Sequence, residues 1–586
     1  MAIIMLSCYD LTCEYLTNPI GIDTEYPRFS WKLRSDASGV MQTAYELTIG
    51  DVWCSGWVES SESVLVEYGG APLTPFTRYP WRVRIRDNHG ETAAAEGFFE
   101  TGTLGSAWHA QWITTEEGNT EECPVFRRTF RVETPVKSAR LYITAHGVYE
   151  AELNGSRVGD CYLTPGWTAY HDRILYQTYD ITGQIATENA ITVTLGKGWC
   201  RGRLVWENSR NLYEREPDLI AMLRIETEDG SVIFIGTDTQ WQYQTGPILM
   251  SEIYDGEIHD ARKELTGASK FNYIAGGWKY TKLQNAPNAK LIGQINEPIR
   301  HCETVHPISL ITTPNGETVI DFGQNMVGWA AFTVSGKSGE RVVFDHAEVL
   351  DRDGNFYSGN MRTAKNRIEY TLRGDEQESY HPHFTFEGFR YIRILEFPGT
   401  VKLENFTGMV LHSDMKRTGD FRCSNDLLNQ LFQNVIWGQR GNFLDVPTDC
   451  PQRDERLGWS GDAQVFIRTA ALNYNVGAFF TKWLGDVALE QSNEYGVPNV
   501  IPNVLGAQSS SAWGDVATIA PWEIYRAYGD RRILETQYES MKNWVEYIRA
   551  QGENELLWNT GHHFGDWLSM DSRRNIADTC RGGTAK

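Results

Sequence analysis

Ser424-Asn425-Asp426-Leu427-Leu428-Asn429-Gln430-Leu431-Phe432-Gln433-Asn434-Val435-Ile436-Trp437 is the stretch at which the chain changes its period. Leu427, Leu428, Leu431, Phe432, Val435, Ile436 and Trp437 fall at i, i+4 and i+8 on adjoining stripes, the spacing of an amphipathic helix, and Ser424 stands where an N-cap belongs. Upstream the apolar residues alternate; downstream they recur at helical spacing. The fold class follows: multidomain, β then α.

Working back toward the N-terminus, residues 1–104 read as a small β-sandwich of fibronectin type III or immunoglobulin-like kind. Trp81-Arg82-Val83-Arg84-Ile85-Arg86 alternates apolar and basic, as does Tyr45-Glu46-Leu47-Thr48-Ile49 with its polar positions. The three arginines read as the wet face of a sheet rather than a binding stripe. Residues 105–298 read as a second, jelly-roll sandwich, with strands at Ala139–Ala145, Tyr149–Leu153 and Ala190–Leu195. Asn154-Gly155 directly after a strand marks a hairpin. Gly196-Lys197-Gly198-Trp199-Cys200-Arg201-Gly202 has the wrong glycine spacing for a dinucleotide loop and is rejected as one. Gln284 to Pro298 reads as a connection. A third β domain, 299–415, has strands at Thr318–Phe322, Glu340–Phe344 and Phe389–Ile394, with Asp353-Gly354 and Glu387-Gly388 as its clearest turns.

Forward of Ser424, helical runs span roughly 462–473, 478–491, 515–528 and 530–550, with no strand alternating between them. The loops carry the chemistry. Asp449-Cys450-Pro451-Gln452-Arg453-Asp454-Glu455-Arg456-Leu457-Gly458-Trp459-Ser460-Gly461-Asp462 crowds carboxylates and guanidiniums beside an indole, without a lysine. Such a set suits a pocket that binds hydroxyls, stacks an apolar face and moves a proton. A buried ion-pair cluster at a helix start would use the same residues. Ser511-Ala512-Trp513-Gly514-Asp515 and His563-Phe564-Gly565-Asp566-Trp567-Leu568 are two further loops pairing tryptophan with aspartate. Loops at one end of helical hairpins would converge on one pocket.

Composition bounds the function. At 586 residues the chain is too long for one core, and three to five domains are expected. A formal charge of −22 argues against nucleic-acid or anionic-membrane partners. The start lacks a basic residue ahead of its short apolar run, and no stretch is long enough to span a bilayer, so a cytoplasmic protein is expected. Ten scattered cysteines without CxxC spacing indicate neither zinc site nor disulfide framework. His562-His563 lacks a partner at ligand spacing, so no metal and no cofactor is expected.

Asp445 to Asp462 closely resembles the signature of the α-L-rhamnosidases of glycoside hydrolase family 78. Ala145-His146-Gly147-Val148-Tyr149-Glu150, Thr164-Pro165-Gly166-Trp167 and Ile320-Asp321-Phe322-Gly323-Gln324-Asn325 agree with it. The resemblance implies several β-sandwiches ahead of an (α/α)6 toroid, and hydrolysis of terminal α-L-rhamnosides with inversion. It implies that Glu455 is the general acid, that Asp449, Arg453 and Asp462 bind rhamnose hydroxyls, and that Trp459 lines the pocket. Trp513 and Trp567 look like further pocket aromatics; Asp515 and Asp566 would support them from behind. The residue chemistry fits a 6-deoxy sugar, whose methyl wants an apolar wall and whose hydroxyls want charged partners. Asp449, Asp454 and Asp462 would raise the acid's pKa, while Arg453 and Arg456 would pull it down.

The sequence departs from that family in one respect. The family's general base is a glutamate in the second half of the toroid, and only five helical runs are legible in residues 416–586, against the twelve helices of six hairpins. The expectation is an incomplete toroid without its base, inactive as it stands. Glu523 is the nearest substitute, and more simply a solvated helix glutamate. Expected partners are rhamnosylated small molecules or oligosaccharides, and a homodimer is compatible with the sequence. The alternatives are a non-catalytic, sugar-binding or misfolding fragment, or a six-hairpin glycosidase for another sugar.

Overall fold

A computed structural model describes residues 6–118, 120–565 and 567. The chain divides into two compact units: Met1–Asp414 together with Pro451–Glu455, and Met415–Cys450 together with Arg456–Lys586.

The first unit opens with a sandwich of a three-stranded sheet and a four-stranded one. Its longest strand, Arg78–Asp87, buries every second side chain, so Trp81, Val83 and Ile85 meet Phe29, Trp31 and Phe99 in one core. Each such side chain contributes roughly 1.5–3 kcal/mol by leaving water. The arginines of that strand face outward and pair across the sheet, Arg84 with Glu46 at 2.8 Å and Arg82 with Glu96 at 3.5 Å. A buried two-pronged pair, Arg140 to both Glu100 oxygens at 2.7 Å, ties this module to the next.

The second sandwich packs a seven-stranded sheet on a six-stranded one over Phe126, Leu141, Ile143, Leu153, Val193 and Leu195. Asn154 and Gly155, at φ +55° and +87°, make the hairpin between Val148–Leu153 and Ser156–Arg157. Gly198–Arg201 forms a one-turn helix. Two departures from the sequence reading concern where this module stops. Within the expected connection, Lys290–Gly293 is a strand, parallel to Arg173–Tyr176. Gly256–Asp260 runs parallel to Arg367–Thr371, and so belongs to the ten-stranded sheet of the third domain. Both pairings join segments far apart in sequence, which leaves no local mark.

That third sheet is built around Thr318–Val334. Glu387-Gly388 is not a turn: it opens the strand Glu387–Glu396. A Cβ on Gly388 would sit 3.0 Å from atoms of Gln452 and Pro451. The glycine is there for close approach of another backbone, not for a bend.

In the second unit the helices are Asp426–Asn442, Ser460–Asn473, Gly477–Glu490, Val516–Tyr528 and Arg531–Arg549. Gly477–Glu490 is the most buried, with Phe479, Phe480, Trp483, Leu484 and Val487 inside and Phe443 stacked on Phe479 at 4.7 Å. The first helix is capped by Asn425, not Ser424, because the Asn425 amide oxygen accepts from the N–H groups of Leu427 and Leu428. Its apolar stripe is largely uncovered: Leu427, Leu428 and Leu431 are 81%, 48% and 56% exposed. Among the described residues no helix is long and apolar enough to cross a membrane.

Candidate active site

Pro451–Glu455 is the part of the acidic motif that packs with the β modules. Gly388 lets its backbone approach the third sheet, and hydrogen bonds then fix it residue by residue. Asn366 Nδ2 donates to the Gln452 carbonyl at 2.9 Å, and Gln452 Nε2 to Glu348 at 2.8 Å. The buried Tyr254 hydroxyl donates to the Glu455 carbonyl. Asp454 is fully buried; it accepts from Thr363 through N–H and hydroxyl, with guanidinium nitrogens of Arg203 and Arg362 at 3.7 and 3.8 Å. Asp454 is thus an anchor of the segment.

The Glu455 side chain, about one tenth exposed, meets two guanidiniums at the same oxygen: Arg453 Nε at 2.9 Å and Arg362 Nη1 at 3.0 Å to Oε2. Charge-assisted bonds of this kind orient a carboxylate more firmly than neutral ones. Arg453, expected on a sugar hydroxyl, therefore also steadies the expected acid. Arg362 is a residue the sequence reading missed. It comes from the third β domain, carries no motif, and holds φ +56°, a conformation side chains avoid unless their surroundings impose it.

The other motif residues belong to the helical unit. Asp449 Oδ1 accepts from the Leu457 N–H at 2.9 Å, and its own N–H donates to the Leu457 carbonyl at 2.9 Å. Asp449 and Asp462 both line a cavity of about 350 Å³, whose apolar wall includes Val435, Phe443, Val465 and Phe466. Asp462 lies in the first turn of Ser460–Asn473, with Trp459 at the N-cap. Acidic side chains are favoured there by the helix dipole.

The indoles converge on a ring the sequence reading quoted without singling out. Phe564 lies 5.9 Å from Trp459, 4.4 Å from Trp513 and 5.6 Å from Trp567 between ring centroids. Gly461 admits Trp513, since a Cβ there would come within 2.8 Å of the indole. The Trp513 Nε1–H is buried without a hydrogen-bond partner, a donor ready for a hydroxyl. Trp567 is the most exposed of the three at 47%. Asp515 accepts from Trp544 Nε1 at 2.9 Å, holding the helix Arg531–Arg549 rather than an indole of this cluster. Asp566 lies outside the described residues. His563 Nδ1 lies 2.9 Å from the Ser511 hydroxyl, which joins two of the loops. Glu523 pairs with Arg526 one turn along its helix at 3.2 Å.

A carboxyl group gripped by guanidiniums in the first unit and, in the second, an apolar-walled cavity with two aspartates and an aromatic cluster are features that suit a carbohydrate-active enzyme. Comparison with known proteins narrows this. Four family descriptions match in order: Rha78A-like N-terminal immunoglobulin domain (residues 8–105), alpha-L-rhamnosidase N-terminal domain (134–303), bacterial alpha-L-rhamnosidase concanavalin-like domain (311–412) and bacterial alpha-L-rhamnosidase 6 hairpin glycosidase domain (416–583). The chain is 31% identical to an alpha-L-rhamnosidase of Streptomyces avermitilis, over 95% of this chain and 72% of that one. It is 37% identical to one of Formosa agariphila, over 98% and 65%. The crystal structure of the Aspergillus terreus enzyme superposes with a TM-score of 0.93 at 37% identity, covering 96% of this chain and 67% of that one. A Streptomyces avermitilis structure complexed with L-rhamnose superposes at 0.91 and 29%, covering 98% and 74%. The chain belongs to the α-L-rhamnosidases, a family of glycoside hydrolases. It spans about two thirds of the length of the curated relatives it matches.

Proposed function

We propose that the whole protein hydrolyses terminal α-L-rhamnose residues from rhamnosylated small molecules or oligosaccharides, with Glu455 as general acid. The observation that carries the reading is the grip on Glu455 Oε2 by Arg453 and Arg362, which leaves the group's orientation to the protein rather than to solvent. A proton held by this carboxyl passes to the glycosidic oxygen as the C–O bond breaks, so that the aglycone departs as an alcohol. Asp449, Asp462 and Arg453 bind the sugar hydroxyls. The indoles of Trp459, Trp513 and Trp567 line the apolar side, with the Trp513 N–H as a further donor. That a relative was solved with L-rhamnose supports the choice of sugar.

Inversion belongs to the same proposal. It requires water activated by a second carboxylate about 6.5–9.5 Å from the acid, and the first-formed anomer in a proton NMR time course reports it.

The test is Glu455→Gln in the whole protein. For alkyl or flavonoid rhamnosides, whose leaving groups need protonation, kcat should fall by about 100-fold or more. The loss should shrink sharply for a dinitrophenyl rhamnoside, which leaves unprotonated. An equal loss for all leaving groups removes the acid assignment, and faster release from aryl α-L-fucoside or α-glucoside removes the sugar.

A further inference from the structure

A second cluster of titratable groups lies in the jelly-roll sandwich. His146 occupies the turn between the strands Val136–Ala145 and Val148–Leu153, and Glu214 and Asp218 lie on the loop ahead of Leu219–Thr227. One ligand atom from each of the three side chains lies within 4.8 Å of the other two. His146 Nδ1 is 3.1 Å from Asp218 Oδ2, with side chains 6% and 1% exposed. The backbone sets the pair: His146 N–H donates to the Asp218 carbonyl at 3.0 Å, and Trp112 stacks on the imidazole at 4.9 Å.

An Asp–His pair alone leaves this cluster unsatisfied. Asp218 Oδ1 and the Thr114 hydroxyl are both buried without a hydrogen-bond partner. Glu214 Oε1 accepts from the N–H groups of Arg215 and Glu216 at 2.7 and 3.4 Å. Among the described residues no lysine or arginine forms an ion pair with either carboxylate. The buried Arg201 feels the charge of Asp218, but its Nε and Nη2 engage the carbonyls of His146 and Gly196 at 2.9 and 3.1 Å. Two carboxylates therefore face one imidazole, and a buried oxygen has nothing to bind.

A divalent cation answers both the excess of carboxylate and the unpartnered oxygen. With metal–nitrogen and metal–oxygen distances of about 2.0–2.2 Å, neighbouring ligands on a tetrahedron stand about 3.3 Å apart, so the 3.1 Å separation of Nδ1 and Oδ2 suits two ligands of one ion as well as it suits a hydrogen bond. Imidazole with carboxylates favours zinc over calcium, which takes six to eight oxygens. We propose that His146, Glu214 and Asp218 form a zinc site that pins the turn before Val148–Leu153 to the loop before Leu219–Thr227. Its part is structural, and it lies outside the residues assigned to hydrolysis.

The test uses the whole 586-residue chain, stripped with a chelator and titrated with ZnCl2 by calorimetry, with CaCl2 for comparison and CoCl2 read by visible absorption. One Zn2+ per chain, a cobalt d–d band and a Tm raised by several degrees are expected, with Ca2+ inert. Glu214→Gln changes a partly exposed side chain, so the variant should fold; it should weaken Zn2+ by about 100-fold, and His146→Gln should do the same. Zinc bound equally by Glu214→Gln, zinc lost instead on His562→Gln/His563→Gln, or no stoichiometric zinc at all would each overturn the proposal.

Discussion

Lys482→Met should remove much of the stability of the helical unit. The Lys482 side chain is fully buried on Gly477–Glu490; among its partners are Asp445 Oδ2 at 2.8 Å, the Asp445 carbonyl at 3.2 Å and Asp486 Oδ2 at 3.8 Å. The two aspartates are 5% and 0% exposed, so neither has water to fall back on. Methionine keeps most of the volume of the lysine stem, so little cavity opens, and the loss is electrostatic. Breaking a buried pair from one side costs roughly 3–5 kcal/mol, and here one ammonium faces two carboxylates. Set against a typical 5–15 kcal/mol, that is a large share, and for a unit of this size it corresponds to a fall of roughly 10–15 °C in Tm. Calorimetry and urea titration followed by tryptophan fluorescence measure it. Neutralising the carboxylates as well (Lys482→Met/Asp445→Asn/Asp486→Asn) should restore most of the loss. A single variant within about 1 kcal/mol of wild type, or a triple variant no better than the single, would show that the charges are not what holds this core. Lys482 also holds the carbonyl of Asp445, which sits at φ +64° four residues ahead of Asp449, so sugar binding should weaken along with stability.

Arg362→Ala should lower kcat of the whole protein about tenfold with under about 1 kcal/mol of stability lost, since its side chain is 45% exposed. Arg362→Lys should recover only part of the rate, because lysine lacks the fork; unchanged kcat in the alanine variant would leave Arg453 as sufficient. A pH effect is expected from Glu150 and His383, 3.1 Å apart. Burial lowers the His383 imidazole, but the Glu150 carboxylate outweighs it and, with Glu257 helping and Arg157 opposing, raises it from 6.5 to about 9. Burial raises the Glu150 carboxyl, but His383, Arg157 and His381 bring it from 4.5 to about 2. The imidazole's stabilisation is complete below about pH 6.5 and lost as pH rises through about 9; the carboxylate's is complete above about 4.5 and lost as pH falls through about 2. The stability gap between wild type and His383→Gln, from urea midpoints, should therefore be flat between pH 5 and 6.5 and shrink toward pH 9. A gap that grows with pH contradicts the pairing.

Local pattern carried much of the fold. Alternation at Trp81–Arg86 and helical spacing at Phe479, Trp483 and Val487 depend on one buried face, and a buried face is written into neighbouring residues. The stripe at Leu427, Leu428 and Leu431 is equally regular yet stands in solvent, because periodicity marks a face without stating what covers it. Gly388 reads as a turn from its sequence, since glycine serves bends and close approaches alike and only the arrival of Pro451 and Gln452 separates the two. The motif presents Glu455, Arg453, Asp449 and Asp462 as candidates in one block of sequence. Arg362 was invisible, because its meeting with Glu455 is made by the third sheet and not by spacing. The three tryptophan loops are expected to converge, but Phe564, the ring on which their indoles gather, stands inside a quoted loop with nothing to single it out.

The stapling of Pro451–Glu455 onto Asn366, Glu348, Thr363 and Tyr254 bears on how such enzymes can be cut and recombined. A helical module excised after Asp414 would retain Glu455 in its sequence while losing every one of those moorings, so if Glu455 is the acid proposed above, the β modules hold it in place and are not detachable accessories. Grafting specificity from a relative would accordingly succeed only when the donor's third sandwich travels with its helices.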